Sequence, residues 1–332
     1  MLMIETEDVW KNFHTMRGRK KVQVEAVRGI NLQVQGGEIF GFLGPNGAGK
    51  TTMMRILATL LPADKGRAIV AGHDLRREQS KVRESIGYVG QLGGAEGMAT
   101  GRENVILQGQ LYGLSADTAR RRASELIEDL QMNDFADRLV RTYSGGQRRR
   151  LDLALGLVHK PKLLFLDEPS IGLDPQSRAQ LWDEVRKLHT GGATVFLTTH
   201  YLEEADSLCD RLAIIDEGKI VAEGTPAQLK QQIAGDIITL RLENPTVSIP
   251  LAQELLHTQP FVREIQPPAN REDQPMQVYV ERGEEALAVI MHLLNAAELN
   301  VQAVALARPS LDDVFLRQTG HALASAVNQA NR

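Results

Sequence analysis

Along the first two-thirds of the chain, short apolar runs alternate with amphipathic stretches, as a parallel sheet flanked by helices requires. The runs predict strands at 38–43, 163–166, 194–198 and 211–216. The amphipathic stretches predict helices over 50–60, 116–130, 147–158, 175–188 and 201–208. Beyond residue 236 the pattern changes to a strand at 237–242, a helix at 251–257, strands near Val262 and at 277–281, a helix at 284–295 and a strand at 301–307. That βαββαβ order predicts a small ferredoxin-like α+β domain, closed by a last helix over 311–317. The expected organisation is an α/β domain over 1–235, an α+β extension over 236–320 and a tail over 321–332.

Charge supports the same border. The 332 residues carry 38 Lys and Arg against 42 Asp and Glu. From Ile237 onward there are 7 Arg, no Lys and 11 acids, and the earlier part balances at 31 of each sign. An acidic extension is poorly suited to gripping phosphodiester backbones, so no nucleic-acid partner is expected. Hydrophobic residues make up 42% and charged residues 24%, which describes a globular chain and excludes a disordered or collagen-like one. The single cysteine, Cys209, excludes an internal disulfide framework and favours a reducing compartment. The acidic start MLMIETEDVW is unlike a signal peptide, and no apolar run approaches the roughly 20 residues of a membrane-crossing helix.

The chemistry begins at EIFGFLGPNGAGKTT, an apolar strand, a glycine-rich turn and a helix opening at Lys50. Gly44, Gly49, Lys50 and Thr51 fit G-x-x-x-x-G-K-[ST] in the structural context that this pattern needs. Glycine lets the backbone approach phosphates closely, so that converging N–H groups and the positive end of the helix stabilise the anion. Lys50 is placed for the β- and γ-phosphates, and the Thr51 hydroxyl for Mg²⁺. In KLLFLDEP, four apolar residues deliver Asp167 and Glu168 to a strand's carboxyl end, where open parallel sheets bind ligands. Asp167 suits a carboxylate serving Mg²⁺, and Glu168 one that orients or deprotonates water.

Between these elements lies YSGGQRRRLD, and the chain here resembles the nucleotide-binding subunits of ATP-binding cassette (ABC) transporters. The order is complete: the phosphate loop, Gln91 after GYVG, the signature Ser144 to Gln147, LLFLDEP, the loop GLD ending at Asp174, and His200 after TVFLTT. The resemblance implies a P-loop ATPase fold with a parallel-sheet core, an antiparallel β subdomain and a helical subdomain. It implies ATP held by Gly44, Pro45, Asn46, Gly47, Ala48, Gly49, Lys50, Thr51 and Thr52, and Mg²⁺ at Thr51, Gln91 and Asp167. Glu168, His200 and Gln91 are the implied catalytic group. In the family, Ser144, Gly145, Gly146, Gln147 and Asp174 would face nucleotide bound to a second copy, so a homodimer is expected. An aromatic residue stacks on adenine; Phe13 occupies the matching place and Trp10 is its rival. The Arg148 to Arg150 run reads as a local electrostatic or solvated feature beside the signature, and Asp312 and Asp313 as structural.

The stretches GRENVILQGQLYGL and RPSLDDVFLRQTG are similar to the daunorubicin/doxorubicin-resistance branch of exporter ATPases. That resemblance implies a separate ABC-2 type permease, placement at the cytoplasmic face of the membrane, and export of a hydrophobic compound bound by the permease. Export of lipid or polysaccharide is the alternative within transport. A non-transport ATPase acting on ribosomes or DNA is the alternative outside it, and such proteins usually carry two cassettes or a long insertion that this chain lacks.

Overall fold

The computed structural model describes residues 1–17, 20–233, 235–266 and 275–320. The expected tail at 321–332 lies outside the described residues. The chain divides into two compact units after Pro226, ahead of the compositional border at Gly235.

The first unit runs β1 (Leu2–Arg17), β2 (Lys20–Gln35), β3 (Ile39–Leu43), α1 (Lys50–Leu57), β4 (Lys65–Val70), β5 (His73–Asp74), α2 (Gln79–Ser85), β6 (Ile86–Val89), α3 (Gly101–Leu111) and α4 (Ala116–Asp129). It continues with α5 (Gly145–Leu157), β7 (Leu163–Asp167), α6 (Pro175–Thr190), β8 (Thr194–Thr199), α7 (Leu202–Leu208), β9 (Arg211–Asp216) and β10 (Lys219–Gly224); the division falls at the start of α8 (Pro226–Gln231). One sheet is antiparallel, in the order β2-β1-β4-β5. The other has the order β10-β9-β3-β8-β7-β6, parallel from β9 to β6 and closed by antiparallel β10. Every residue of β3, β7 and β8 is buried, as befits parallel strands covered on both faces. Phe40, Phe42 and Phe165 surround Phe196 with centroid separations of 5.6–5.7 Å. This order sets the carboxyl ends of β3, β8, β7 and β6 side by side, so whatever follows each strand meets at one edge.

The second unit contains β11 (Asp236–Leu242), α9 (Pro245–His257), β12 (Val262–Gln266), β13 (Met276–Val280), α10 (Gly283–Ala296), β14 (Val301–Ala307) and α11 (Leu311–Thr319). Its antiparallel sheet has the order β12-β13-β11-β14, the arrangement expected of a ferredoxin-like fold. Ile238, Leu240 and Val278 pack with Leu256, Ile290 and Leu294 from the two helices. Asp313 accepts the Ser310 N–H at the start of α11, so this acid belongs to a capping box.

Two helix limits differ from the sequence pattern by three residues or more. Helix α1 stops at Leu57 instead of reaching Leu60: Thr59 takes a left-handed φ of 61°, its N–H bonds to Ile56 O, and that of Leu60 bonds to Arg55 O. These are the two hydrogen bonds of a Schellman stop, made here without glycine. Helix α9 starts at Pro245 and runs through Pro250 instead of beginning after it, because Ser248, Ala252 and Leu256 all turn into the core. The burial of that face outweighs the one backbone hydrogen bond that proline removes.

Candidate active site

The loop after β3 wraps the N-terminus of α1. Gly49 caps that helix at φ 105°, a left-handed conformation that glycine adopts freely, and so turns the loop amides inward. A cavity of about 340 Å³ opens there. It is lined by Pro45, Asn46, Gly47, Gly49, Lys50, Thr51 and Thr52, together with Ala26, Gln91, Glu168 and Ile171. Gly44 stands behind it, its carbonyl accepting from Lys50 Nζ at 2.7 Å, and Ala48 is buried in the core.

Glu168 is the hub. One carboxylate oxygen lies 3.3 Å from Lys50 Nζ and 3.3 Å from His200 Nδ1, and the other accepts from Gln91 Nε2 at 3.3 Å. Phosphate loop, post-β8 histidine and post-β6 glutamine thus converge on one acid, as the strand order dictates. The backbone of Glu168 has a left-handed φ of 46°, uncommon for a non-glycine residue. Its N–H donates to both the carbonyl and the hydroxyl of Thr198. The Thr198 hydroxyl in turn donates to Asp167 Oδ1 at 2.6 Å, where Thr51 Oγ1 also donates at 3.0 Å. Thr198 is a member of the site that sequence reasoning missed; the signal was a hydroxyl directly after the apolar run Val195 to Leu197 and two residues before His200.

Electrostatics follow from burial and pairing. Burial pushes the Glu168 carboxyl up, but the neighbouring His200 imidazole and the Lys50 ammonium outweigh it and hold the group below its ordinary value. Loss of water pushes Lys50 down, and Glu168 and Asp167 offset only part of this. Lys50 and Glu168 thus face one another at 3.3 Å, a pair poised to exchange partners with a phosphate.

The signature is elsewhere. Ser144 and Gly145 are exposed, and none of Ser144, Gly145, Gly146 or Gln147 lines the cavity. Ser144 and Gln147 form a reciprocal capping box at the start of α5, leaving the first amides of a helix N-terminus facing outward. Asp174 also lies outside the cavity and caps α6, accepting from Ser177 N at 2.9 Å. Phe13 is 39% exposed and pairs with Val24, two residues before the cavity-lining Ala26 on the same strand. Trp10 is committed locally: its indole donates to Asp8 Oδ1 at 2.6 Å and lies under Lys65.

Known proteins match this arrangement. Residues 27–171 match the ABC transporter family model, and residues 224–319 match the model described as ATP-binding protein DrrA1-3-like, C-terminal domain. The chain is 47% identical over 301 residues to the daunorubicin/doxorubicin resistance ATP-binding protein DrrA of Streptomyces peucetius, covering 89% of this chain and 88% of that one. It is 34% identical over 324 residues to the linearmycin resistance ATP-binding protein LnrL of Bacillus subtilis (strain 168), covering 97% and 99%. A post-hydrolysis dimer of the ATP-binding cassette MJ0796 bound to ADP and Pi superposes with a TM-score of 0.61 at 26% identity, covering 67% of this chain and 98% of that one. With its phosphate loop, its acid hub and its small C-terminal domain all matched, the chain belongs to the ATP-binding subunits of ABC transporters, in the DrrA branch, and is an ATPase of that family.

Proposed function

We propose that the protein is the ATP-hydrolysing half of an exporter, pairing with a second copy of itself and with separate ABC-2 type membrane subunits to extrude a hydrophobic, drug-like compound. Among the described residues no helix is long and apolar enough to cross a membrane. In the proposed assembly the membrane subunits make the crossing and this chain works at the cytoplasmic face. The observation that carries the reading is the convergence of Lys50, Gln91 and His200 on Glu168 at the floor of the phosphate-loop cavity.

The loop amides from Asn46 to Thr52 and the Lys50 ammonium hold the triphosphate, and Phe13, 39% exposed with Lys11 Nζ 5.7 Å from its ring centroid, stacks on adenine. The residues fit Mg²⁺. Asp167 Oδ2 is buried and has no hydrogen-bond partner, while Oδ1 is fully engaged by Thr51 and Thr198. Thr51 and Gln91 complete the set, and Mg²⁺, when bound, neutralises charge developing on the phosphate oxygens. Glu168 orients the attacking water and accepts its proton, with His200 fixing the carboxylate. Ser144, Gly145 and Gly146 of the second copy supply the remaining phosphate contacts from the outward-facing N-terminus of α5, and Asp174 lies at the same junction.

Reconstitution with the membrane subunits in inverted vesicles provides the test. ATP should drive accumulation of an anthracycline, and Glu168→Gln should abolish it while ATP still binds. Accumulation that persists in Glu168→Gln, or ATP-driven transport of lipid but of no drug, would overturn the reading.

A further inference from the structure

Gln91 sits in a tight turn closed by Gly93 N donating to Gly90 O at 3.4 Å. Within it Gln91 points inward to Glu168, and Leu92, at 96% exposure, points out. Both ends of this turn are held by one helix, the one that begins with the signature. Arg149 Nη1 donates to Gly90 O at 2.9 Å, and Asp152 Oδ1 accepts from Gly94 N at 3.4 Å. Arg149 Nη2 also donates to the carbonyl of Asp167 at 3.4 Å. The guanidinium therefore binds the residue preceding Gln91 and the residue preceding Glu168.

We infer that Arg149 and Asp152 form a buried clamp that sets the distance between Gln91 and Glu168 and ties both to the helix carrying Ser144. They are positioning residues, three apart on α5, with Nη1 and Oδ2 separated by 4.0 Å and each residue only 7% exposed. Burying an ion pair rarely adds stability over an apolar pair of similar volume, so the gain lies in geometry. The fork of Arg is what permits two carbonyls to be held at once; Lys is a point charge. Gly93 supplies an independent sign: φ is 71°, and a Cβ there would stand 2.8 and 2.9 Å from the Asp152 carboxylate oxygens. Only glycine lets the carboxylate approach the turn so closely.

The inference rests on Gln91 acting with Glu168 in hydrolysis, and a double-mutant cycle on the full chain separates the two ideas. Gln91→Ala should lower kcat. Arg149→Met should lower kcat about tenfold with KM for ATP within about twofold, Arg149→Lys should recover part of the loss, and Arg149→Met should cost nothing further in Gln91→Ala. Gly93→Ala, which keeps both charges, should give the same loss and the same lack of additivity, so the test survives if Arg149→Met does not fold. Full additivity in the double variant, or an unchanged kcat in Arg149→Met, would refute the clamp alone. An unchanged kcat in Gln91→Ala would refute the reading of Gln91 and the clamp with it.

Discussion

Lys50 and Ser144 both stand where a helix begins and phosphate can bind, yet their surroundings are opposite. Lys50 is 4% exposed and bonded to two loop carbonyls and Glu168; Ser144 is exposed, and its side chain is bonded within its own capping box. The first half of the site is built and charge-balanced without ligand. The second is a helix N-terminus with its donors turned to solvent, an acceptor site for something brought from outside. On the proposed reading the contrast divides affinity from turnover: one copy grips nucleotide, and hydrolysis calls on the other half.

The largest separation comes from the buried half. Lys50→Ala should abolish ATP binding by equilibrium dialysis, whereas Glu168→Gln should retain binding and lose about a thousandfold or more in kcat. Comparable turnover in Glu168→Gln and the parent would remove Glu168 from its place at the hub. Gly145→Asp probes the exposed half. A carboxylate in the first turn of α5 suits the helix dipole, so the fold is retained, but it repels phosphate. ATP binding by the isolated chain should be unchanged while ATPase activity falls about a hundredfold. Weakened binding by the monomer would erase the distinction between the halves.

Ser144→Ala should act more gently, removing the cap as well as a phosphate donor. A loss of about 1 kcal/mol from the cap should lower Tm by about 2–4 °C, with a severalfold drop in kcat. A stable Tm would show that the capping box contributes nothing. The smallest effect concerns pH. The folded Glu168 carboxyl titrates below its unfolded value, so its contribution is present above about pH 4.3 and is lost as pH falls through the folded value. Acid unfolding of the parent should therefore steepen relative to Glu168→Gln; parallel acid limbs would contradict the pairing.

Much of this was legible in the chain because phosphate chemistry constrains spacing. Asp167 ends, and the loop from Gly44 to Thr52, Glu168 and His200 follow, fully buried strands whose apolar runs are hard to misread. The long β1–β2 hairpin gave no such signal, since register shifts at Thr6/Val9 and Lys11/Asn12 break its alternation. Arg149 was hidden in a run of three arginines that reads as a solvated face. At helical spacing only the middle one turns inward, with Arg148 exposed and Arg150 half-buried. Thr198 was hidden because threonine is an ordinary strand former.

At the border of the small sheet, β14 offers seven residues, VQAVALA, without a charge or a proline. Strands of that kind recruit further strands unless something blocks them. Dissecting the chain by expressing its C-terminal piece alone thus invites insoluble fibrillar material, and a lysine placed in that border is the remedy to build in from the outset.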